Sequence, residues 1–190
     1  MNVALHRPFD APRKHGFTGE DVLRMQEAGI LLEGGKFELI EGEIIDMPSE
    51  GDAHLALKGA LNRFLVRNLP DEIGLIPDGT LRLSDTNWPE PDFYLYPAVI
   101  MPGAVRGPDT LLIIEMSDST LAHDLRLKAD LYHRHGVREY WVIDLNALRL
   151  YVHRADGAWP APAVPLSTPV TPGLIPDLRV TLADLLPKSK

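Results

Sequence analysis

Leu111-Leu112-Ile113-Ile114-Glu115 is an apolar run that ends in one carboxylate, and this run decides the fold that we expect. A run that stays apolar until its last residue is typical of a central strand covered on both faces. A second run, Pro91-Asp92-Phe93-Tyr94-Leu95-Tyr96, carries its carboxylate near its start. If both runs are strands of one sheet, Asp92 and Glu115 can meet at one end of that sheet.

A lysine accompanies this pair of carboxylates. Lys128 follows Glu115 by 13 residues, on a segment with helical spacing. The apolar face of that helix is expected to pack on the sheet, with Lys128 at its edge and the ammonium directed toward a polar cavity. Two acids on neighbouring strands and a nearby lysine can hold a divalent cation and a water against a phosphodiester. Asp92 and Glu115 are therefore candidate metal ligands, and Lys128 is a candidate for positioning or activating the water.

Ordinary structural roles compete with this interpretation. An aspartate that follows a proline at a strand start, like Asp92, is often only solvated. Asp124 precedes Lys128 by four residues, and this pair alone is equally well explained as a surface ion pair worth roughly a few tenths of a kcal/mol. Glu115 is harder to explain in this way, because a charge that ends an apolar strand is rarely buried without a partner.

Three further ionisable residues are candidates for accessory roles, together with Asp124. His54 falls in the first turn of a predicted helix, where a solvated histidine is the commoner case and a catalytic or metal-shell group is the alternative. Glu38 and Glu41 flank the first predicted hairpin. Strand alternation directs Glu38 either to solvent or to the active cleft.

The composition predicts one globular domain, residues 1–190, with an N-terminal arm over residues 1–16. A chain of 190 residues that is 45% hydrophobic can build one sizeable core. It has no cysteine and no apolar run of about 20 residues, so it predicts no disulfide, no thiolate metal site and no membrane span. These features fit the cytoplasm. The net charge of −8 argues against a general nucleic-acid coat, and argues less against a metal enzyme that gathers carboxylates.

The order of predicted elements indicates an α/β fold with a mixed central sheet flanked by helices. Thr18 predicts a helix start, and Ser49 with Asp52 suggests another. Ser119 or Thr120 caps a third helix that reaches His135. The remaining predicted elements are hairpins around Glu41-Gly42, Asp78-Gly79 and Asn146-Ala147, loops or edge strands over residues 156–176, and a short terminal helix that starts at Thr181.

Taken together, these pieces resemble the Uma-two family of the PD-(D/E)XK, or restriction-endonuclease-like, nuclease superfamily. The resemblance runs from about Phe37 to Leu185. Each piece is weak alone, but their order makes a chance match improbable. The matching pieces are Phe37-Glu38-Leu39-Ile40-Glu41-Gly42, His54, Pro91-Asp92, Ile114-Glu115-Met116-Ser117 with Ser119-Thr120, Asp124 with Lys128 and Tyr132, and Gly136-Val137-Arg138-Glu139-Tyr140-Trp141-Val142-Ile143-Asp144.

The resemblance implies a restriction-endonuclease-like core and a divalent-metal nuclease site. Pro91-Asp92 matches the first acidic motif of the superfamily, and Glu115 matches the second. The usual motif has a lysine two residues after that acid, where this chain has Ser117. The resemblance implies that the lysine has moved to the following helix, where Lys128 matches it.

The resulting first hypothesis is a magnesium-dependent DNA endonuclease that forms a homodimer, as members of the superfamily often do. Mn²⁺ suits the same ligands as Mg²⁺, and the backbone carbonyl of Met116 is a further candidate ligand. The second hypothesis is an inactive binding or assembly module that keeps the fold. A hydrolase of another phosphoester is the third.

Overall fold

The computed structural model describes residues 15–31 and 36–187, so all but the last two residues of the predicted N-terminal arm lie outside it. Its regular elements are helices and short strands. They are α1 (Gly19–Glu27), β1 (Phe37–Ile40), β2 (Glu43–Asp46), α2 (Asp52–Asn68), β3 (Ile73–Pro77), β4 (Phe93–Pro97), β5 (Leu112–Ser117), α3 (Leu121–His123), α4 (Ala129–Arg134), β6 (Glu139–Asp144), β7 (Arg149–Arg154) and β8 (Ala163–Pro165).

A six-stranded mixed sheet forms the centre of the fold, as the sequence predicts. Its strand order follows the chain from β3 to β8, and every neighbouring pair is antiparallel except β5 and β6. A parallel pair needs a crossover connection, and the helix between β5 and β6 supplies it. Strands β1 and β2 form a separate hairpin, whose Leu39 bridges to Trp88.

The crossover helix is not uniform. The sequence predicts one helix from Ser119 or Thr120 to His135, and the structure has α3, then a five-residue π-helical segment, Asp124–Lys128, and then α4. A π-helical turn holds more residues than an α-helical turn and often occurs at functional sites. Both candidate residues of this helix lie at the ends of the π-helical segment.

Two apolar layers cover the sheet, one on each face. Leu112, Ile114 and Met116 of β5 pack in the layer that contains α2, and Ile113 packs in the layer that contains α4. This alternation follows the two-residue period of a strand. It directs Glu115, two residues after Ile113, toward the face covered by the crossover helix.

Two sequence predictions outside the sheet are confirmed in detail. Thr18 caps α1 and forms a capping box with Asp21. Glu41 and Gly42 form the turn between β1 and β2 with positive φ angles of 52° and 76°. These angles explain why a glycine stands in this turn.

The predicted hairpin around Asp78-Gly79 is wrong. Asp78 does turn the chain, with a φ of 50°, but β3 pairs along its whole length with β4 instead of with Leu81–Leu83. Strand β4 is buried at Phe93, Tyr94, Leu95 and Tyr96, so pairing with it contributes more apolar burial than a local hairpin would.

Two smaller differences concern helix ends. Gly51 occupies the N-cap of α2 without a side-chain hydrogen bond, so the predicted Ser49 cap does not form. The terminal helix is a single 3₁₀ segment, Leu182–Leu185. The prediction of loops or edge strands over residues 156–176 is confirmed, because β8 is an edge strand there. Across residues 15–31 and 36–187, no helix combines the length and the apolar character needed to span a bilayer.

Candidate active site

One pocket of about 90 Å³ lies where β4 begins and β5 ends. Its volume has room for a cation and a few waters. Ionisable side chains from several parts of the chain line it. They are Lys36, Glu50, His54, Asp78, Glu90, Asp92, Glu115, Asp118, Asp124 and Lys128.

The register of β4 and β5 explains why two carboxylates meet here. Phe93 pairs with Ile114 in the antiparallel ladder, and both belong to the apolar layer of α2. One step further along the ladder, Asp92 is level with Glu115. Cross-strand neighbours share a face and successive pairs alternate between faces, so Glu115 is directed away from that layer, while Asp92, just before β4, is within reach of His54 and Lys58 on α2.

Glu115 belongs to a buried cluster that we call the Glu115 group: Glu115, Glu38, Lys128 and Tyr132. The Lys128 ammonium lies 2.9 Å from Glu115 Oε1 and 2.8 Å from Glu38 Oε1. The Tyr132 hydroxyl donates a 3.1 Å hydrogen bond to the same Glu115 oxygen. The Lys128 side chain is only 1% exposed, so its ion pairs are shielded from water.

Negative charge exceeds positive charge in this group. Burial raises the pKa of Glu115 well above its usual value, and Lys128 only partly opposes this effect because Asp124, Asp92 and Glu38 add negative charge. Burial alone would lower the pKa of Lys128, but the surrounding carboxylates raise it, so the ammonium stays charged. Glu115 therefore tends to retain a proton unless another cation enters.

One carboxylate oxygen of Glu38 has no hydrogen-bond donor among the described residues. Its Oε1 accepts a 2.7 Å hydrogen bond from the Glu90 backbone N–H and also contacts Lys128. Its Oε2 is buried and has no hydrogen-bond partner among the described residues. A buried carboxylate oxygen without a partner costs free energy, so this cluster favours an additional positive group nearby.

Asp92 belongs to a second cluster that we call the Asp92 group: Asp92, His54, Lys58 and Glu50. Asp92 Oδ1 lies 2.9 Å from His54 Nε2 and 2.8 Å from Lys58 Nζ. Asp92 Oδ2 accepts a 2.7 Å hydrogen bond from the Met116 backbone N–H. His54 and Lys58 stand four residues apart on α2, so one face of this helix supplies both side chains.

These contacts keep Asp92 ionised. Burial alone would raise its pKa, but the hydrogen bond and charge of His54 and the charge of Lys58 outweigh burial and lower the pKa below its usual value. Since an ionised carboxylate only accepts hydrogen bonds, Nε2 of His54 carries the proton that they share. Through this hydrogen bond to Oδ1, His54 orients the Asp92 carboxylate.

Asp124 is held at the start of the π-helical segment by two hydroxyl groups. Ser117 Oγ and Thr120 Oγ1 donate hydrogen bonds of 2.6 Å and 2.7 Å to Asp124 Oδ2. Its other oxygen lies 3.9 Å from the Lys128 ammonium. Asp124 thus contributes negative charge to the Glu115 group without a direct hydrogen bond to Lys128.

A family model described as "Putative restriction endonuclease", Uma2, matches residues 20–183 of the chain. The match spans both carboxylates and the crossover helix. This chain belongs to the Uma2 family. No curated protein matches the sequence.

A solved structure supports the fold of this Uma2 protein. The crystal structure of a "putative nuclease belonging to DUF820" from Anabaena variabilis superposes with a TM-score of 0.67 at 18% sequence identity. The match covers 85% of this chain and 96% of the other. The predicted restriction-endonuclease-like core is therefore confirmed. Family and fold together indicate a nuclease of the restriction-endonuclease-like type.

The candidate residues of the Uma2 chain separate into those at the pocket and one that lies elsewhere. Asp92, Glu115, Lys128, Asp124 and His54 line the pocket, and Glu38 reaches it through Lys128. Glu41 does not belong to this site. Its side chain is 52% exposed and forms a 2.6 Å ion pair with Arg134.

Burial decides the alternatives that the sequence leaves open. Asp92 and His54 are 7% and 8% exposed, so neither is a solvated group at the end of an element. Asp124 and Lys128 are 2% and 1% exposed and are not a surface pair. Glu38 faces the interior and not the solvent, because its side chain is fully buried.

Sequence reasoning missed Lys58 and Glu50. With His54 they recur every four residues, at 50, 54 and 58, which is the spacing of one helical face. This polar stripe beside the apolar positions Leu57 and Leu61 is the signal that could have identified them. The sequence carries no comparable signal for the contact between Lys58 and Asp92, because Asp92 lies 34 residues after Lys58.

The residues present suit a divalent cation. Glu50, His54 and Asp92 each offer a donor atom, and these atoms all lie within 4.8 Å of one another. Glu115 of β5 adds another carboxylate to the same pocket. Hard oxygen donors in excess over positive charge are the surroundings that Mg²⁺ and Mn²⁺ prefer.

Proposed function

We propose that this Uma2 protein is a divalent-metal-dependent endonuclease that hydrolyses phosphodiester bonds in DNA. The observation that carries the proposal is the shared pocket of Asp92, Glu115 and Lys128, with the two acids on adjacent antiparallel strands. Membership of a family described as restriction endonucleases supports the nuclease class.

In this proposal Asp92 and Glu115 hold the cation, and the backbone carbonyl of Met116 is a further ligand. Mg²⁺ is the expected ion, and Mn²⁺ suits the same donors. When bound, the ion supplies positive charge to the phosphate oxygens and lowers the pKa of a bound water. The Met116 N–H holds Asp92 Oδ2 in place, and the ionised state of Asp92 makes it the better prepared ligand.

Lys128 positions the attacking water. An ammonium has three N–H donors, and contacts at 2.9 Å and 2.8 Å direct two of them to Glu115 and Glu38. The third donor is available for a water in the pocket that Lys128 lines. Tyr132 and Glu38 fix the position of the ammonium and the carboxylate, so they act as positioning residues.

The oligomeric state and the location in the cell are further parts of the proposal. A homodimer would present two sites to the two strands of a duplex. A cytoplasmic location would give the protein access to DNA. Light scattering of the purified protein, with an expected mass twice that of the 21.1 kDa chain, tests the dimer.

Metal-dependent nicking of supercoiled plasmid tests the activity. The wild-type protein should nick plasmid with Mg²⁺ or Mn²⁺ and should lose this activity with EDTA. Asp92→Asn keeps the size of the side chain but removes its charge. It should reduce nicking by more than about 100-fold, because even groups that only support metal ligands are worth about 10–100-fold. Asp177→Asn, at an exposed aspartate outside the pocket, is the matched control.

Each failure has a distinct meaning. Nicking that survives Asp92→Asn would contradict the assignment of the site. A wild-type protein that binds duplex DNA but never nicks it would be the inactive module. Cleavage of bis(p-nitrophenyl) phosphate without cleavage of DNA would indicate a hydrolase of another phosphoester.

A further inference from the structure

Lys58 has no role in the proposed chemistry, yet its ammonium directly contacts a proposed metal ligand. It forms ion pairs of 2.8 Å with Asp92 Oδ1 and 3.0 Å with Glu50 Oε1, and it hydrogen-bonds Asp78 Oδ1. Its side chain is 10% exposed. Three carboxylates from three parts of the chain thus converge on one ammonium, which has three N–H donors to match them.

The position of this ammonium is close to one that a divalent ion could take. Glu50, His54 and Asp92 form a group of donor atoms able to hold a metal, and Lys58 contacts two of these three residues. An ammonium and a metal ion that share an anionic oxygen repel each other. Because Lys58 pairs with the pocket-lining carboxylates Asp92 and Glu50, this repulsion acts directly on the cation that Asp92 would bind.

Lys58 can release Asp92 without losing all of its partners. If its ammonium withdraws from Asp92, Glu50 and Asp78 still neutralise it, and Asp78 is 47% exposed and able to move. Lys128 differs in this respect, because its close carboxylate partners, Glu38 and Glu115, are both buried. Replacement of the ammonium by a metal ion is therefore easier at Asp92 than at Glu115.

We propose that the Lys58 ammonium competes with the divalent cation for Asp92 and thereby sets the metal affinity of the site. This inference rests on the proposed function to the extent that it takes Asp92 as a metal ligand. In the metal-free protein Lys58 neutralises Asp92. When the metal binds, Lys58 shifts to Glu50 and Asp78, and the affinity for the metal is lower than the carboxylates alone would give.

Direct binding of Mn²⁺, followed through the EPR signal of the free ion, tests the proposal without any measurement of catalysis. Lys58→Met removes the charge and keeps an apolar stem. Lys58→Gln also removes the charge but can still hydrogen-bond Glu50, so it keeps the test valid if the methionine variant does not fold. Each should bind Mn²⁺ about tenfold more tightly than the wild type, because a full positive charge beside the ligand is lost.

Lys36 provides a matched control. Its ammonium contacts Glu50 and lies 3.8 Å from Asp78, so it shares two of the three partners of Lys58 but not Asp92. Lys36→Met should change Mn²⁺ affinity much less than Lys58→Met. Asp92→Asn should abolish tight binding in both the wild-type and the Lys58→Gln background.

The outcomes separate this inference from the proposed function. Equal Mn²⁺ affinity in the wild type and the Lys58 variants, or equal effects of Lys36→Met and Lys58→Met, would overturn the competition alone. Absence of Mn²⁺ binding in all of these proteins would overturn both. Tighter binding by the Lys58 variants would support the competition even if no nicking is found, and in that case only the nuclease assignment would fail.

Discussion

The two halves of the pocket hold their carboxylates in opposite ways. In the Asp92 group, positive neighbours from α2 outweigh burial and lower the pKa of Asp92. In the Glu115 group, burial and three other carboxylates outweigh Lys128 and raise the pKa of Glu115. One acid is thus ionised and able to bind a cation, and the other favours its protonated form until a cation supplies positive charge.

This difference shows how one pocket can both attract a metal and depend on it. If the proposed metal binds, an ionised Asp92 would provide its first contact. The same ion would then neutralise the excess negative charge around Glu115 and stabilise a cluster that is otherwise unfavourable. Metal binding should therefore stabilise the fold as well as complete the site.

The largest expected effect on stability comes from Lys128→Met. It leaves Glu38 and Glu115 buried without the cation that contacts both, and the free energy of unfolding should fall by about 3–5 kcal/mol. Lys58→Met should lower the free energy of unfolding by less, because Asp92 keeps its hydrogen bonds from His54 and the Met116 N–H. Urea unfolding at neutral pH measures both changes, and equal losses would remove the distinction between the two groups.

The pH dependence of stability should differ in sign between the two acids. The folded protein holds the Glu115 proton more tightly than the unfolded chain does, so stability is lost as the pH rises above the ordinary value of 4.5. Asp92 has a lowered pKa, so its contribution is present above the ordinary value of 3.8 and is lost as the pH falls below it. Each unit of pKa difference is worth about 1.4 kcal/mol.

Two neutral variants check these signs by urea unfolding from about pH 3 to pH 8, a range that brackets the ordinary carboxyl values. Glu115→Gln should flatten the decline on the alkaline side. Asp92→Asn should flatten the decline on the acid side. If both variants flatten the decline of stability on the same side of the pH range, the assignment of opposite pKa shifts to Asp92 and Glu115 is wrong.

Tyr132→Phe sharpens the comparison within the Glu115 group. It removes the hydroxyl that donates to Glu115 Oε1, and a buried oxygen that loses such a donor should cost about 1–3 kcal/mol. Tyr140→Phe is the matched control, because the Tyr140 hydroxyl donates a 3.2 Å bond to the backbone carbonyl of Asp124. Loss of that neutral bond should cost about 0.5–1.5 kcal/mol. Thermal unfolding measures both losses of stability. A larger loss for Tyr140→Phe than for Tyr132→Phe would contradict the role given to the Tyr132 hydroxyl.

Glu41→Gln should have the smallest effect. The ion pair between Glu41 and Arg134 is about half exposed, and such pairs contribute about 0–1 kcal/mol. Plasmid nicking should stay at the wild-type rate, because Glu41 does not line the pocket. A clear loss of nicking would show that Glu41 contributes to the active site.

The sequence predicts the central strands well because their signals are local. The runs Pro91–Tyr96 and Leu111–Glu115 identify the two buried strands β4 and β5, and the carboxylates within these runs cannot be buried without partners. The segment around Asp78 is predicted less well. Its turn residues are recognised, but the pairing partner of β3 depends on burial that only the folded sheet provides.

The site is predicted in part for the same reason. Asp92, Glu115 and Lys128 stand out because each is a charge at the edge of an apolar pattern. Lys58 lies on a helix surface that looks solvated, and Glu50 lies just before that helix. The contact between Lys58 and Asp92 depends on how α2 docks on the sheet. A helix surface by itself does not reveal which of its charges the tertiary fold will cover.

The π-helical segment Asp124–Lys128 makes the chain length between Ser117 and Tyr132 critical. Deleting one residue there would allow a regular α-helix, and every later side chain of the crossover helix would then be rotated by about 100° relative to those before it. Tyr132 and Lys128 could not both keep their contacts with Glu115 after such a rotation. Engineering that shortens or lengthens this crossover should therefore be far less tolerated than an equal change in the loop between β4 and β5.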